Sequence, residues 1–223
     1  MQVDLASPVD LFGFRSQANS MLAQQVPPED VSWGAANSVV WGETVRGPAS
    51  RPASLASALH SIVPRSFVRL TELVVLHRDA ARFDLLYRLL WRLVHEPELA
   101  GSTGDTDMVV ARSMAQAVRR DLSRTRRSVQ LRALGPSDGV TLRLGWCEPQ
   151  HHVTEEVAQW LVRTDPAGPW LLASPDRCVL WTSTQLLCGP GVPGIVAHRA
   201  DDANWYRVAA ELASGCSAVP AVA

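Results

Sequence analysis

A first grouping of ionisable side chains is Trp146-Cys147-Glu148-Pro149-Gln150-His151-His152, where an alternating pattern gives way to a helical one. Junctions of this kind commonly expose functional groups, and two imidazoles beside a carboxylate have the chemistry for proton transfer or metal ligation. His151, His152 and Glu148 are therefore the catalytic candidates. Adjacent histidines on regular backbone point apart, so joint chelation of one ion is not expected, and neither a metal site nor a cofactor is assigned. The plainer alternative is that one histidine packs or caps while the other is solvated.

A second concentration is Arg119-Arg120-Asp121-Leu122-Ser123-Arg124-Thr125-Arg126-Arg127. On a helix, Arg120, Arg124 and Arg127 fall on one face, and Arg119, Ser123 and Arg126 form the adjoining stripe. The five nucleic-acid-binding candidates are Arg119, Arg120, Arg124, Arg126 and Arg127. All 21 basic residues of the chain are arginine, against 22 acidic ones, for a net charge of -1. Global charge thus draws the protein neither to a polyanion nor to an anionic membrane, and any such binding must be local. Phosphate contacts would come from guanidinium forks, which bind oxyanions in a bidentate manner. A GC-rich genome is the plainer origin of the arginine bias, and a solvated helix end complementing its dipole is the plainer role of the run.

Other signals carry less. His77-Arg78-Asp79 echoes a kinase catalytic loop, but the glycine-rich and metal-binding motifs of a kinase are missing. Gly189-Pro190-Gly191 reads as a turn with no phosphate-loop partner. No serine sits in a nucleophile elbow. Arg88 and Arg92 ride on a strongly apolar helix, and salt-bridging or snorkelling is their expected role.

These residues need elements to hold them. Met1–Leu5 alternates as an edge strand, and residues 10–24 have helical spacing before Pro27-Pro28 stops them. Residues 31–57 are expected to be a loop-rich connection pinned by Trp33 and Trp41. Three helices follow: one opened by Pro64, one with Asp79 as its N-cap and Pro97 as its end, and one from Met108 to Thr125. The inner face of the third reads Val110, Met114, Ala117, Val118 and Leu122. Alternation then takes over. Residues 128–134 and 140–146 read as a hairpin about Gly135–Gly139, and 154–163 as a short helix. Three strands (170–174, 178–181, 185–188) and a helix over 201–214 complete the pattern. The expectation is an α+β fold, a helical N-terminal half packed on a small antiparallel sheet formed by the C-terminal half, in one domain over 1–223 with a frayed tail at 215–223.

The hydrophobic fraction of 47% suits a globular chain. Met1–Ser7 carries Asp4 and lacks a basic start and apolar run, so no signal peptide is expected, and arginines interrupt the apolar stretches, so no membrane span is expected. Cys147, Cys178, Cys188 and Cys216 form no C-x-x-C pair, which fits free thiols in a reducing cytoplasm.

Several segments together resemble one family. They are residues 26–33, Val63-Pro64-Arg65-Ser66-Phe67, and His77-Arg78-Asp79 with Leu85-Leu86-Tyr87-Arg88-Leu89-Leu90-Trp91-Arg92-Leu93. Met114-Ala115 with Ala117-Val118-Arg119-Arg120-Asp121, the Trp146–His152 motif, and Trp170 through Trp181 to Gly191 complete the set. From Asp10 to Tyr206 the chain resembles the uncharacterised bacterial domain found fused ahead of uracil-DNA glycosylase-like domains. That domain also occurs as a stand-alone DNA-metabolism protein linked to a radical SAM partner. The resemblance implies a part in DNA repair or modification, with DNA, a glycosylase-like protein or a radical SAM protein as partner. The chain departs from the family pattern after Asp121, where Leu122-Ser123-Arg124-Thr125 replaces a His-Lys-Met segment, and again after Ser214.

Three readings stay open on the residues alone. The leading one is a DNA-metabolism accessory protein that binds nucleic acid or a repair partner through the arginine face. The second is an enzyme acting on DNA or a nucleotide, with His151 or His152 as base and Glu148 as orienter. The third is a degenerate structural or interaction module.

Overall fold

In the computed structural model, Gln2–Leu5 (β1) and Ser32–Ala35 (β2) pair in parallel, joined through the helix Leu11–Ala23 (α1). The structure describes residues 1–35, 43–44, 63–96, 98–99, 102, 104–135, 141–197 and 200–214. The chain divides into two compact units: residues 1–38 with 51–120, and residues 39–50 with 121–223.

In the first unit, β1 alternates as expected, burying Val3 and Leu5. Asp10 caps α1 by accepting the Gly13 N–H at 2.7 Å. Gln25 takes a left-handed φ of 56°, and the N–H of Val26 reaches back to Met21, which closes the helix before the prolines. The strand β2 corrects the expectation of a loop over 31–57. With only Trp33 buried in four residues, it is too short to show a period, and its partner lies across α1. Trp33 does pin the segment, with its ring 4.9 Å from Phe14 and 5.7 Å from Tyr87; Trp41 lies outside the described residues.

The helices Arg65–Val74 (α2), Arg82–His95 (α3) and Thr106–Ser128 (α4) follow. Helix α3 is central, burying Phe83, Leu85, Leu86, Tyr87, Leu89, Leu90 and Leu93. Asp79 is not its N-cap, a position that Ala81 holds. Instead the Asp79 carboxylate accepts the Ala81 N–H at 2.9 Å, and its carbonyl accepts from Arg82 at 2.8 Å. The expected stop, Pro97, lies outside the described residues.

Arg82 is itself buried. It donates to the carbonyls of Val75, Asp79 and Pro8 and lies 4.4 Å from the centre of the Phe83 ring. Burial lowers its pKa to about 10, opposed by Asp79, so it stays charged at neutral pH. Thus the kinase-like tripeptide forms part of a carbonyl cradle for a buried guanidinium. Arg88 and Arg92 take the expected salt-bridging role. Arg88 grips Asp107 through two nitrogens at 2.9 and 2.8 Å, and Arg92 meets Asp105 at 2.8 Å.

Helix α4 begins with Asp105 accepting the Met108 N–H at 3.0 Å. Its inner face is rotated from the expected one. Met108, Ala111, Ala115, Val118, Asp121 and Thr125 are buried, and Val110 is 40% exposed. Small residues let the helix approach its neighbours closely, a preference that a hydrophobicity pattern misses. The rotation also turns two polar side chains inward.

The second unit holds Glu43–Thr44 (β3), Arg132–Ala133 (β4), Arg143–Trp146 (β5), Trp170–Ala173 (β6), Arg177–Trp181 (β7) and Leu186–Pro190 (β8). These strands form one sheet in the order β3-β8-β7-β6-β5-β4. Its pairings are antiparallel except β5 with β6. Those two run parallel because helix Thr154–Thr164 (α5) carries the chain between them, as a parallel connection requires. The pairing of β4 with β5 bears out the hairpin strands, although residues 136–140 of the turn lie outside the described ones. Among the described residues no strand falls between Pro64 and Arg127, so the helical and strand-rich halves separate as expected. The proposed tail at 215–223 is also outside the described residues.

Helix Gly194–Ala197 (α6) and helix Asp202–Ser214 (α7) end the chain's described part. Leu144, Leu171, Leu180 and Leu187 meet Trp205 and Leu212 of α7 on one sheet face. Trp170, Leu172 and Val179 alternate to the other face, which α5 covers with Val157, Ala158 and Leu161. Gly191, expected in a turn, follows the end of β8 where a Cβ would lie 2.1 Å from the Pro175 carbonyl oxygen, so only glycine fits.

Candidate functional site

The second unit places the loop after β5 between the end of a strand and the start of α5. Its Cys147 N–H bonds the Ala173 carbonyl at 3.0 Å, extending the β5–β6 ladder. The loop then turns over Pro149 and Gln150 to present His151 and His152, both partly buried.

Asp121 holds this loop. It sits in phase with Val118 on the buried side of α4, its side chain 2% exposed. One carboxylate oxygen accepts the backbone N–H of His151 at 2.8 Å, and the other accepts from Arg124 at 2.6 Å. Two charge-assisted hydrogen bonds offset the cost of burying the carboxylate. The arginine run and the histidine loop, separate in sequence, therefore meet through one acid.

The candidates fall in different roles. His152 Nδ1 lies 3.7 Å from the carboxylate of Asp176, in the β6–β7 turn. Glu148 accepts from the indole of Trp146 at 3.2 Å and lies against Gly194. Next to this loop, Arg177 and Glu155 form a largely buried ion pair at 2.7 Å, and Thr154 and Ser174 share a buried hydroxyl contact at 3.0 Å. Asp121, Asp176, Arg177 and Glu155 were not among the sequence candidates. Asp121 had a signal, a lone acid three residues past the buried Val118; the others depend on strand register. Among the described residues, no group of three or more His, Cys, Asp or Glu is arranged to hold a metal ion.

Burial pushes the Cys147 thiol up to about 12, with Cys178, Asp121 and Glu148 adding to it, and burial raises Cys178 to about 12 as well. Both stay protonated at neutral pH. A cavity of about 290 Å³ lies elsewhere in the unit, lined by Val192, Val196, Trp205 and Val208 together with Asn204 and Arg207, and by none of the candidates.

The arginines of α4 divide by partner. Arg119, Arg120, Arg124 and Arg127 are exposed and Arg126 is half-buried. Only Arg124 of the five has an ion pair among the described residues. Arg126 lies over the indole of Trp160 on α5, 5.9 Å from the ring centre, and its Nε is buried with no hydrogen-bond partner among the described residues. Arg126 and Arg127 stand in the last turn, where cations complement the helix dipole. Among the described residues no helix is long and apolar enough to cross a membrane.

No curated protein and no solved structure matches this chain. A family model does: that of a domain of unknown function, DUF4130, over residues 80–207. The match takes in α3, α4, the histidine loop and every strand from β4 to β8, more than half of the sequence. The chain belongs to the DUF4130 family.

Proposed function

We propose that this protein binds nucleic acid as an accessory factor of DNA metabolism, with Arg119, Arg120, Arg124, Arg126 and Arg127 as its phosphate contacts. One observation carries the reading. Arg119, Arg120, Arg126 and Arg127 have no acidic partner among the described residues, whereas Arg15, Arg88, Arg92, Arg132, Arg143, Arg177 and Arg207 each sit in an ion pair. In a chain of net charge -1, four uncompensated guanidinium groups within nine helical positions make a local anion-binding stripe. Asp121, the one acid in the run, is buried and engaged, so it does little to cancel the exposed charge.

The resemblance to the domain that accompanies uracil-DNA glycosylases supports DNA as the polyanion and a glycosylase-like or radical SAM protein as the partner. The buried thiols of Cys147 and Cys178 fit a cytoplasmic setting. The test is a titration of labelled DNA with the wild type and the Arg119→Ala/Arg120→Ala/Arg127→Ala variant. Arginine-dependent binding is expected; equal binding by both proteins, or by neither, overturns the reading.

A second reading, acid–base catalysis on DNA or a nucleotide, is favoured by the His152–Asp176 pair. A carboxylate beside an imidazole orients the ring for proton transfer. Loss of a nucleic-acid-processing activity in His152→Gln, with DNA binding retained, would support it.

A further inference from the structure

We infer that the nucleic acid taken by this surface is single-stranded, with one unpaired base stacking at the Arg126–Trp160 pair and the flanking phosphates meeting Arg127 and Arg163. The inference rests on the nucleic-acid reading and adds to it the strand form and the residues that select it.

Trp160 is half-buried on α5. Two cations stand around it. Arg126 reaches over the ring from α4, and Arg163, exposed, lies one turn along α5 at i+3 from Trp160. Asp165, the C-cap of α5, is taken by Arg143 at 2.6 Å, and Arg126 and Arg127 close α4.

Among the described residues, Arg126 is not held by a carboxylate. Its contact is the aromatic face, and its buried Nε has no acceptor among the described residues. A guanidinium placed over an indole joins a cation to an aromatic ring, and aromatic and guanidinium groups of this kind take the faces of unpaired bases. In a duplex those faces are already stacked on neighbouring pairs, so a duplex engages Arg119, Arg120 and Arg127 but not the Arg126–Trp160 platform. Because every base has a π-face, the site selects strand form rather than sequence.

The experiment measures binding of a labelled oligothymidylate and of a hairpin duplex to the full chain under one ionic condition. The proteins are the wild type, Trp160→Leu and Trp160→Phe. The wild type is expected to bind the single strand at least about fivefold more tightly, the lower end of what one stacked base contributes. Trp160→Leu should lose at least about that factor on the single strand with duplex binding unchanged, and Trp160→Phe, which keeps a ring, should retain most of it. Equal affinity for the two strands, or an equal loss on both in Trp160→Leu, overturns the inference and leaves arginine-dependent DNA binding standing. Binding of neither strand by the wild type overturns both.

Discussion

The carboxylate of Asp121 accepts the backbone N–H of His151 at 2.8 Å across thirty residues of sequence. That bond fixes where the loop of Glu148, His151 and His152 leaves the sheet, because it ties the loop to a helix rather than to its own strand. The second oxygen of the same carboxylate engages Arg124. A single buried acid therefore sets both the loop and one member of the arginine face.

Asp121→Leu should destabilise the fold by about 2–4 kcal/mol, since it strands a buried donor and removes a paired charge. Asp121→Asn keeps an acceptor for His151 and should cost less. Native-state hydrogen exchange at the His151 amide is the sharper readout. Exchange should accelerate in the leucine variant and remain slow in the asparagine variant.

Arg82 makes a separate prediction for the first unit. Its guanidinium serves three carbonyls, from Val75, Asp79 and Pro8. Arg82→Met fills much of the space but leaves those acceptors without donors, at a cost of about 3 kcal/mol or more. Arg82→Lys, a point charge without the planar fork, should fall between the two. Urea unfolding midpoints order the three proteins; a methionine variant as stable as the wild type would refute the keystone role.

Much of this architecture was legible from periodicity. Helix α3 announced itself through Leu85, Leu86, Leu89, Leu90 and Leu93, and β6, β7 and the helices α5 and α7 lie close to where the patterns put them. The errors have local causes. β2 was hidden because four residues with one buried tryptophan show no period, and its pairing with β1 is long-range. The face of α4 was misread because buried Ala111 and Ala115 carry less hydrophobic weight than Val110, which is exposed. The parallel step between β5 and β6 follows from α5 and was not inferred from alternation alone. For the site, the sequence singled out the loop and the helix as separate candidates, without the residue that joins them. Asp121 became visible only once the helix phase was known, and Asp176 and Arg177 only through the register of β7.

The acid limb of stability should be set partly by Asp105 and Asp107. Hydrogen bonds from Arg92 to Asp105 and from Arg88 to Asp107 hold both carboxyls below the usual carboxylate range. The unfolded chain therefore takes up protons at a higher pH than the folded one. Their stabilisation is fully present above the ordinary value of about 4 and is lost as pH falls below it toward the depressed folded values. Asp105→Asn/Asp107→Asn should be less stable than the wild type at neutral pH, and the gap should close as pH falls below about 4. Denaturant midpoints across the acid range check this. A gap that stays constant would mean that the two aspartates act through packing alone.

The salt dependence of DNA binding tests the arginine face most directly, because it counts the phosphates engaged. Each phosphate neutralised contributes about 0.7 to the slope of log affinity against log salt on single strands, or about 0.9 on duplex. Arg119→Ala, Arg120→Ala and Arg127→Ala should each lower the slope by somewhat less than about one unit, and the triple variant by about 2. Stability should barely change, since exposed charges contribute little to it. Asp121→Asn, which frees Arg124, should leave the slope equal or raise it. Titration of labelled single-stranded DNA at several salt concentrations gives these slopes. Nucleic-acid binding through α4 predicts a triple-variant slope shallower than that of the wild type by about 2; identical slopes for the two proteins would contradict it.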